Sequence, residues 1–85
     1  MDIADIENVL LKIVAGLAGQ LPPDQLQDMS NLVAAGESGV AFENLCTQIY
    51  EFDIHVDSTV LADLQKVGAA LGVKPTYWQR LEGIV

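Results

Sequence analysis

Apolar residues recur along this chain at steps of three and four, the spacing that lines one face of an α-helix. Between residues 2 and 19 the stripe is Ile3, Ile6, Leu10, Ile13 and Leu17, widened by Val9 and Val14. Asp2 and Asp5 stand at its start, where the helix macrodipole favours negative charge. Gly19 and the Leu21-Pro22-Pro23 segment end it, since proline cannot continue a helix and restricts the residue before it. Pro23-Asp24 opens a second helix with Leu26, Met29 and Val33 inward and Gly36 as its C-terminal stop. Ser38 is the expected N-cap of a third helix that runs to about Asp53. Its inner side is Phe42, Leu45, Cys46 and Ile49, and its outer side Glu43, Thr47, Tyr50 and Glu51.

Ile54-His55-Val56 reads as a short extended link. Asp57 or Ser58 then caps a fourth helix, with Val60, Leu61, Leu64, Gly68 and Leu71 on one stripe and Gly72 as its stop. Lys74-Pro75 starts a short last helix in which Tyr77, Trp78, Leu81 and Ile84 close the bundle. No segment alternates like a committed strand. The pattern predicts an all-α fold: a compact bundle of four main helices plus a short C-terminal helix, forming a single domain over residues 1–85. Short loops make successive helices neighbours.

Charge sharpens this picture. Four Lys and Arg against twelve Asp and Glu give a net charge of −8. From Ile13 to Gln65 there is no Lys or Arg, but there are eight carboxylates: Asp24, Asp28, Glu37, Glu43, Glu51, Asp53, Asp57 and Asp63. A single-signed field of this kind disfavours nucleic acid and anionic membrane and attracts basic surfaces. Solubility alone is the competing explanation. With 51% hydrophobic residues the chain has material for one core and is not disordered by composition. No basic segment precedes an apolar one at the N-terminus, and no apolar run approaches the ~18 residues of a membrane span, so a cytoplasmic protein is expected.

Candidate chemistry is sparse. One His and one Cys supply no metal framework, and neither a calcium loop nor a phosphate loop is present. The single cysteine fits a reducing compartment. His55 has no nearby nucleophile and reads as a linker residue; Cys46 on the inward stripe reads as a small core residue. No enzyme, cofactor or metal is expected. Three features stand out. Glu43, Tyr50, Glu51, Asp53 and Asp57 cluster around the end of the third helix and the start of the fourth, with Thr47 on the same outer face. Tyrosine there is a favoured interface anchor, unless it packs inward. Glu51 and Asp53 also lie at a helix C-terminus, where negative charge is slightly unfavourable. The third is Tyr77-Trp78, either core or a contact surface.

The segment Ala41-Phe42-Glu43-Asn44-Leu45-Cys46-Thr47-Gln48-Ile49-Tyr50-Glu51-Phe52-Asp53-Ile54 resembles the central pattern of small bacterial immunity proteins of the Maf and contact-dependent-inhibition type. Gly36-Glu37 before it, Pro22-Pro23, Val67-Gly68-Ala69-Ala70-Leu71-Gly72 and Trp78-x-x-Leu81 are similar to the family as well, so the resemblance covers roughly residues 21 to 82. It implies a cognate-specific inhibitor that binds a toxin domain, very often a nuclease and an RNase in the first instance, in a 1:1 complex. A negatively charged face that covers a basic, phosphate-binding cleft is consistent with that role. Glu43, Thr47, Tyr50, Glu51, Asp53 and Asp57 are the expected partner-binding residues.

A rival from another class is an acyl or peptidyl carrier protein. Glu51 to Val56 resembles the segment after the second helix of such carriers, and Ser38 would bear the phosphopantetheine. Carriers have Asp-Ser-Leu at that point and this chain has Glu37-Ser38-Gly39. A third class is an adaptor or DNA mimic that binds another basic protein. Leu11 and the Ala34-Ala35 pair are expected to leave some apolar surface exposed.

Overall fold

The computed structural model of the chain describes residues 1–82. Over them it contains five helices and no strand, apart from an isolated bridge between Ala18 and Leu21. The expected inward role of Ile84 lies outside the described residues.

α1 (Ile3–Gly16) starts where Asp2 Oδ1 accepts the Asp5 N–H at 2.8 Å, which satisfies one of the orphan donors of the first turn. Ile6, Leu10, Ile13, Val14 and Leu17 are buried, as the spacing predicts. Ile3 is not; it is 59% exposed beside an exposed Met1, so the covered stripe begins one turn later than expected. The helix also ends at Gly16 rather than near residue 19. The Leu17 N–H already turns toward Val14 O and Ala15 O, and Gln20 N–H closes on Leu17 O at 2.9 Å. Leu21 is carried back into the core by that turn.

α2 (Pro23–Ala34) has proline in its first turn, where a missing N–H removes nothing. Met29 and Val33 are buried and Leu26 is half-buried. α3 (Ser38–Glu51) is the hub and packs against every other helix. Ala41, Phe42, Leu45, Cys46 and Ile49 lie on its inner face, the last four fully buried. Each large apolar side chain removed from water in this way contributes about 1.5–3 kcal/mol before chain entropy is subtracted.

Ile54 and Val56 point into the core while His55 stays in solvent, the two-residue period of an extended segment. α4 (Ser58–Leu71) follows, capped by Asp57, whose Oδ1 accepts the Val60 N–H at 2.8 Å. It buries Leu64, Val67 and Gly68. Val67 was absent from the stripe read off the sequence, and Val60, Leu61 and Leu71 are only half-covered at its edge. α5 (Thr76–Gln79) then lies against α3 and α4, burying Trp78, with Leu81 fully buried just after it. Phe42 and Trp78 meet edge to face, with ring centroids 6.1 Å apart and an interplanar angle of 67°.

Three helices end in the same way. After α2, Glu37 N–H reaches Leu32 O at 2.8 Å and Gly36 N–H reaches Val33 O at 3.1 Å. After α3, Ile54 N–H bonds Ile49 O at 3.0 Å and Asp53 N–H bonds Tyr50 O at 3.2 Å. After α4, Val73 N–H bonds Gly68 O at 3.0 Å and Gly72 N–H bonds Ala69 O at 3.2 Å. These are Schellman pairs, which need a left-handed residue at the turn. Gly36 (φ 80°) and Gly72 (φ 70°) supply it without a steric penalty, and Asp53 (φ 51°) supplies it as the one non-glycine residue with positive φ among those described.

Candidate functional site

Of the predicted partner-binding residues, Tyr50, Glu51 and Asp53 lie at the C-terminal end of α3, Thr47 and Glu43 lie one and two turns earlier, and Asp57 caps α4. Glu51, Asp53 and Asp57 are exposed, Glu43 and Thr47 are half-buried, and Tyr50 is 44% exposed. Phe52, the residue that closes the helix, is 48% exposed and adds a second aromatic ring that the sequence reading did not place at the site. Tyr50 therefore faces outward, since the inner face of the helix is already filled by Cys46 and Ile49.

The structure also gives two of the acids local tasks. Asp57 is the N-cap of α4, and this choice between Asp57 and Ser58 is settled by its bond to Val60. Asp53 occupies the left-handed turn after α3, a conformation that Asp tolerates better than most residues. The presence of an acid at that helix end thus has a backbone reason beside any partner.

One cation was missed. Arg80, just past α5, lies over Tyr50, its guanidinium carbon 4.5 Å from the ring centroid and 5.9 Å from that of Tyr77. Its Nη2 donates to Thr47 Oγ1 at 3.3 Å. So Thr47 and Tyr50, read as part of an all-acidic face, carry a positive charge across them. The signal available in the sequence was the clustering of Lys74 and Arg80, half of the chain's four cations, on either side of Tyr77.

The cleft formed by Thr47, Lys74, Thr76, Tyr77 and Arg80 has a volume of about 470 Å³. A neighbouring cleft of about 590 Å³ shares Lys74 and Tyr77 with it and continues past Glu43 and Val40 to the α2–α3 turn. A third, of about 360 Å³, runs between α1 and the start of α4, with Lys12, His55, Asp57 and Asp63 on its rim. Glu43 and Asp57 thus belong to different clefts, and the predicted cluster is split.

Ser38 is a correction. It is the first residue of α3 and not its cap, a position held by Glu37 without any side-chain bond. Its side chain is 3% exposed and its Oγ has no hydrogen-bond partner. A serine that receives phosphopantetheine must present its hydroxyl to a transferase, and this one is turned into the protein. Cys46 is likewise enclosed. Burial pushes its thiol from an ordinary value of 9.0 up to about 12, against a smaller opposing pull from Arg80. Trp78 is core and Tyr77 half-buried. Among the described residues no group of three or more His, Cys, Asp or Glu is placed to hold a metal ion, and no helix is long and apolar enough to cross a membrane. No protein-family model, curated protein or solved structure matches the chain.

Proposed function

We propose that this protein is a non-catalytic inhibitor of the bacterial immunity type, which binds a basic toxin domain, a nuclease such as an RNase, in the cytoplasm as a 1:1 complex. The observation that carries the reading is the exposed end of α3, where Glu51 and Asp53 flank Phe52 beside Tyr50. An exposed tyrosine is a favoured interface anchor, and carboxylates around it suit the polar rim of a contact. The carboxylates speed encounter with a basic surface, and the rings set the rate of dissociation. Asp57, at the start of α4, adds to this negative charge, whereas Glu43 lies a turn beyond Thr47, which Arg80 contacts. The same field keeps nucleic acid and anionic membrane away.

Protection of a cell calls for a dissociation constant of about 1 nM, or roughly −12 kcal/mol. A standard interface covers about 800 Å² on each partner. That is roughly a sixth of this molecule's 4700 Å² surface, so the contact must extend beyond the end of α3 and the α3–α4 link.

The reading requires a gene for a toxin with a basic domain next to this one. The test is binding to that domain, with toxin activity measured in parallel, and the absence of such a neighbour counts against the reading. Reversing Glu51 to Lys and neutralising Asp53 to Asn should slow association and flatten its dependence on salt. Asn keeps the left-handed turn, so the variant changes charge without straining the backbone. Unchanged association kinetics in that double variant would show that the wrong face has been assigned.

A further inference from the structure

The cleft between α3 and α5 runs against the character of the rest of the molecule. The chain has twelve carboxylates and four cations, yet Thr47, Lys74, Thr76, Tyr77 and Arg80 line this cleft, and no carboxylate does among the described residues. Each of these side chains carries a hydrogen-bond donor, and two are cationic. A surface that merely averaged the composition would set acids among them, as the neighbouring cleft does with Glu37 and Glu43.

Arg80 is also held in place before any ligand arrives. Its guanidinium lies over Tyr50 at 4.5 Å and within 5.9 Å of the Tyr77 ring, while Nη2 donates to Thr47 Oγ1 at 3.3 Å. A planar, stacked guanidinium loses little freedom when it takes an oxyanion, and its fork suits two oxygens at once. Because Thr47 Oγ1 accepts from Arg80, its own O–H remains to donate elsewhere. Lys74 contributes a compact point charge, and Thr76 a second hydroxyl.

We propose that this cleft is an oxyanion-binding site for a phosphoryl group, presented by inorganic phosphate or by a small phosphomonoester. The donors come from three separated points of the chain, residue 47, residues 74–76 and residue 80. Two cations and two hydroxyls suit the nearly two negative charges and several acceptor oxygens of a phosphoryl group better than the single charge of a carboxylate. Lys12, by contrast, shares its cleft with Asp57 and Asp63, and that cleft lacks this cationic character. The proposal stands apart from the inhibitor reading and survives or fails without it.

Amide and arginine side-chain NMR of the whole chain, titrated with inorganic phosphate at constant ionic strength set by chloride, tests it. Saturable shifts are expected at Thr47, Thr76, Tyr77 and Arg80. Glycerol phosphate in place of phosphate separates the two sources: tighter binding assigns the site to a monoester, equal binding to the free ion. Lys74→Gln, at an exposed position, should weaken binding about tenfold without a change in melting temperature. Arg80→Gln should weaken it at least as much. Three results would overturn the proposal: wild-type affinity in Lys74→Gln, acetate binding as tightly as phosphate, or shifts that rise linearly and scatter over the surface.

Discussion

Trp78 stands directly on Gly68: a methyl group built on that glycine would collide with the indole Cζ3 and Cε3 and come within 2.9 Å of Phe42 Cζ. The glycine is thus a notch in the middle of α4, cut for a ring that α5 delivers. Glycine inside a helix ordinarily costs about 1 kcal/mol relative to alanine. Here close packing outweighs propensity. Gly68→Ala should destabilise the protein by about 1–3 kcal/mol through overpacking, read from urea unfolding by circular dichroism. With Trp78→Ala already in place, the same change should become neutral or stabilising. Additive effects in that cycle would separate the two residues.

The turn after α3 predicts a gain. Asp53 holds a left-handed conformation that suits glycine or asparagine better, and it sets a negative charge at the C-terminal end of a helix dipole. Asp53→Gly should raise stability by about 0.5–1 kcal/mol. If it lowers stability, the carboxylate has an intramolecular role that the geometry does not reveal.

Ser38 and Asp57 make a contrasting pair, because only one of them caps a helix. Asp57→Ala should cost about 1 kcal/mol by freeing the Val60 N–H, and Asp57→Asn should recover most of it. Ser38→Ala should leave stability unchanged or raise it by up to about 1 kcal/mol, since it removes a buried hydroxyl with no partner. A true cap at Ser38 would give the opposite sign in the same thermal melts.

The buried thiol gives a pH signature. Cys46 ionises near 9.0 when free and near 12 in the fold, so the folded state holds its proton more tightly than the unfolded chain does. Its contribution to stability is complete below about pH 9 and is lost as the pH climbs from there toward 12. Cys46→Ala should therefore flatten the alkaline limb of the stability profile. A disulfide-exchange reagent should label native Cys46 only as fast as the protein opens.

The helices were legible because α1, α3 and α4 carry long stripes whose period no strand can share. Less legible were the features decided by distant contacts. Ile3 matches its stripe but lies in a turn that nothing covers. Val67, by contrast, stands three residues after Leu64 and four before Leu71, so its burial was legible from spacing alone. Ser38 has the residue type of a cap, but the tight Gly36 turn brings Glu37 to the cap position and rotates the serine inward. Tyr50 was legible as an exposed residue on the outward face of α3. Arg80 was missed because no local rule links residue 80 to residues 47 and 50. That contact exists only once α5 has docked.

The docking of one indole into a helix notch therefore has an electrical consequence on the far side of α3. Seating the Trp78 peg carries Arg80 across Tyr50, converting what would be an anionic strip into one with a positive centre. A loosened peg should uncover Tyr50 and shift the local potential together, so buried packing acts here as a latch on the molecule's outward charge.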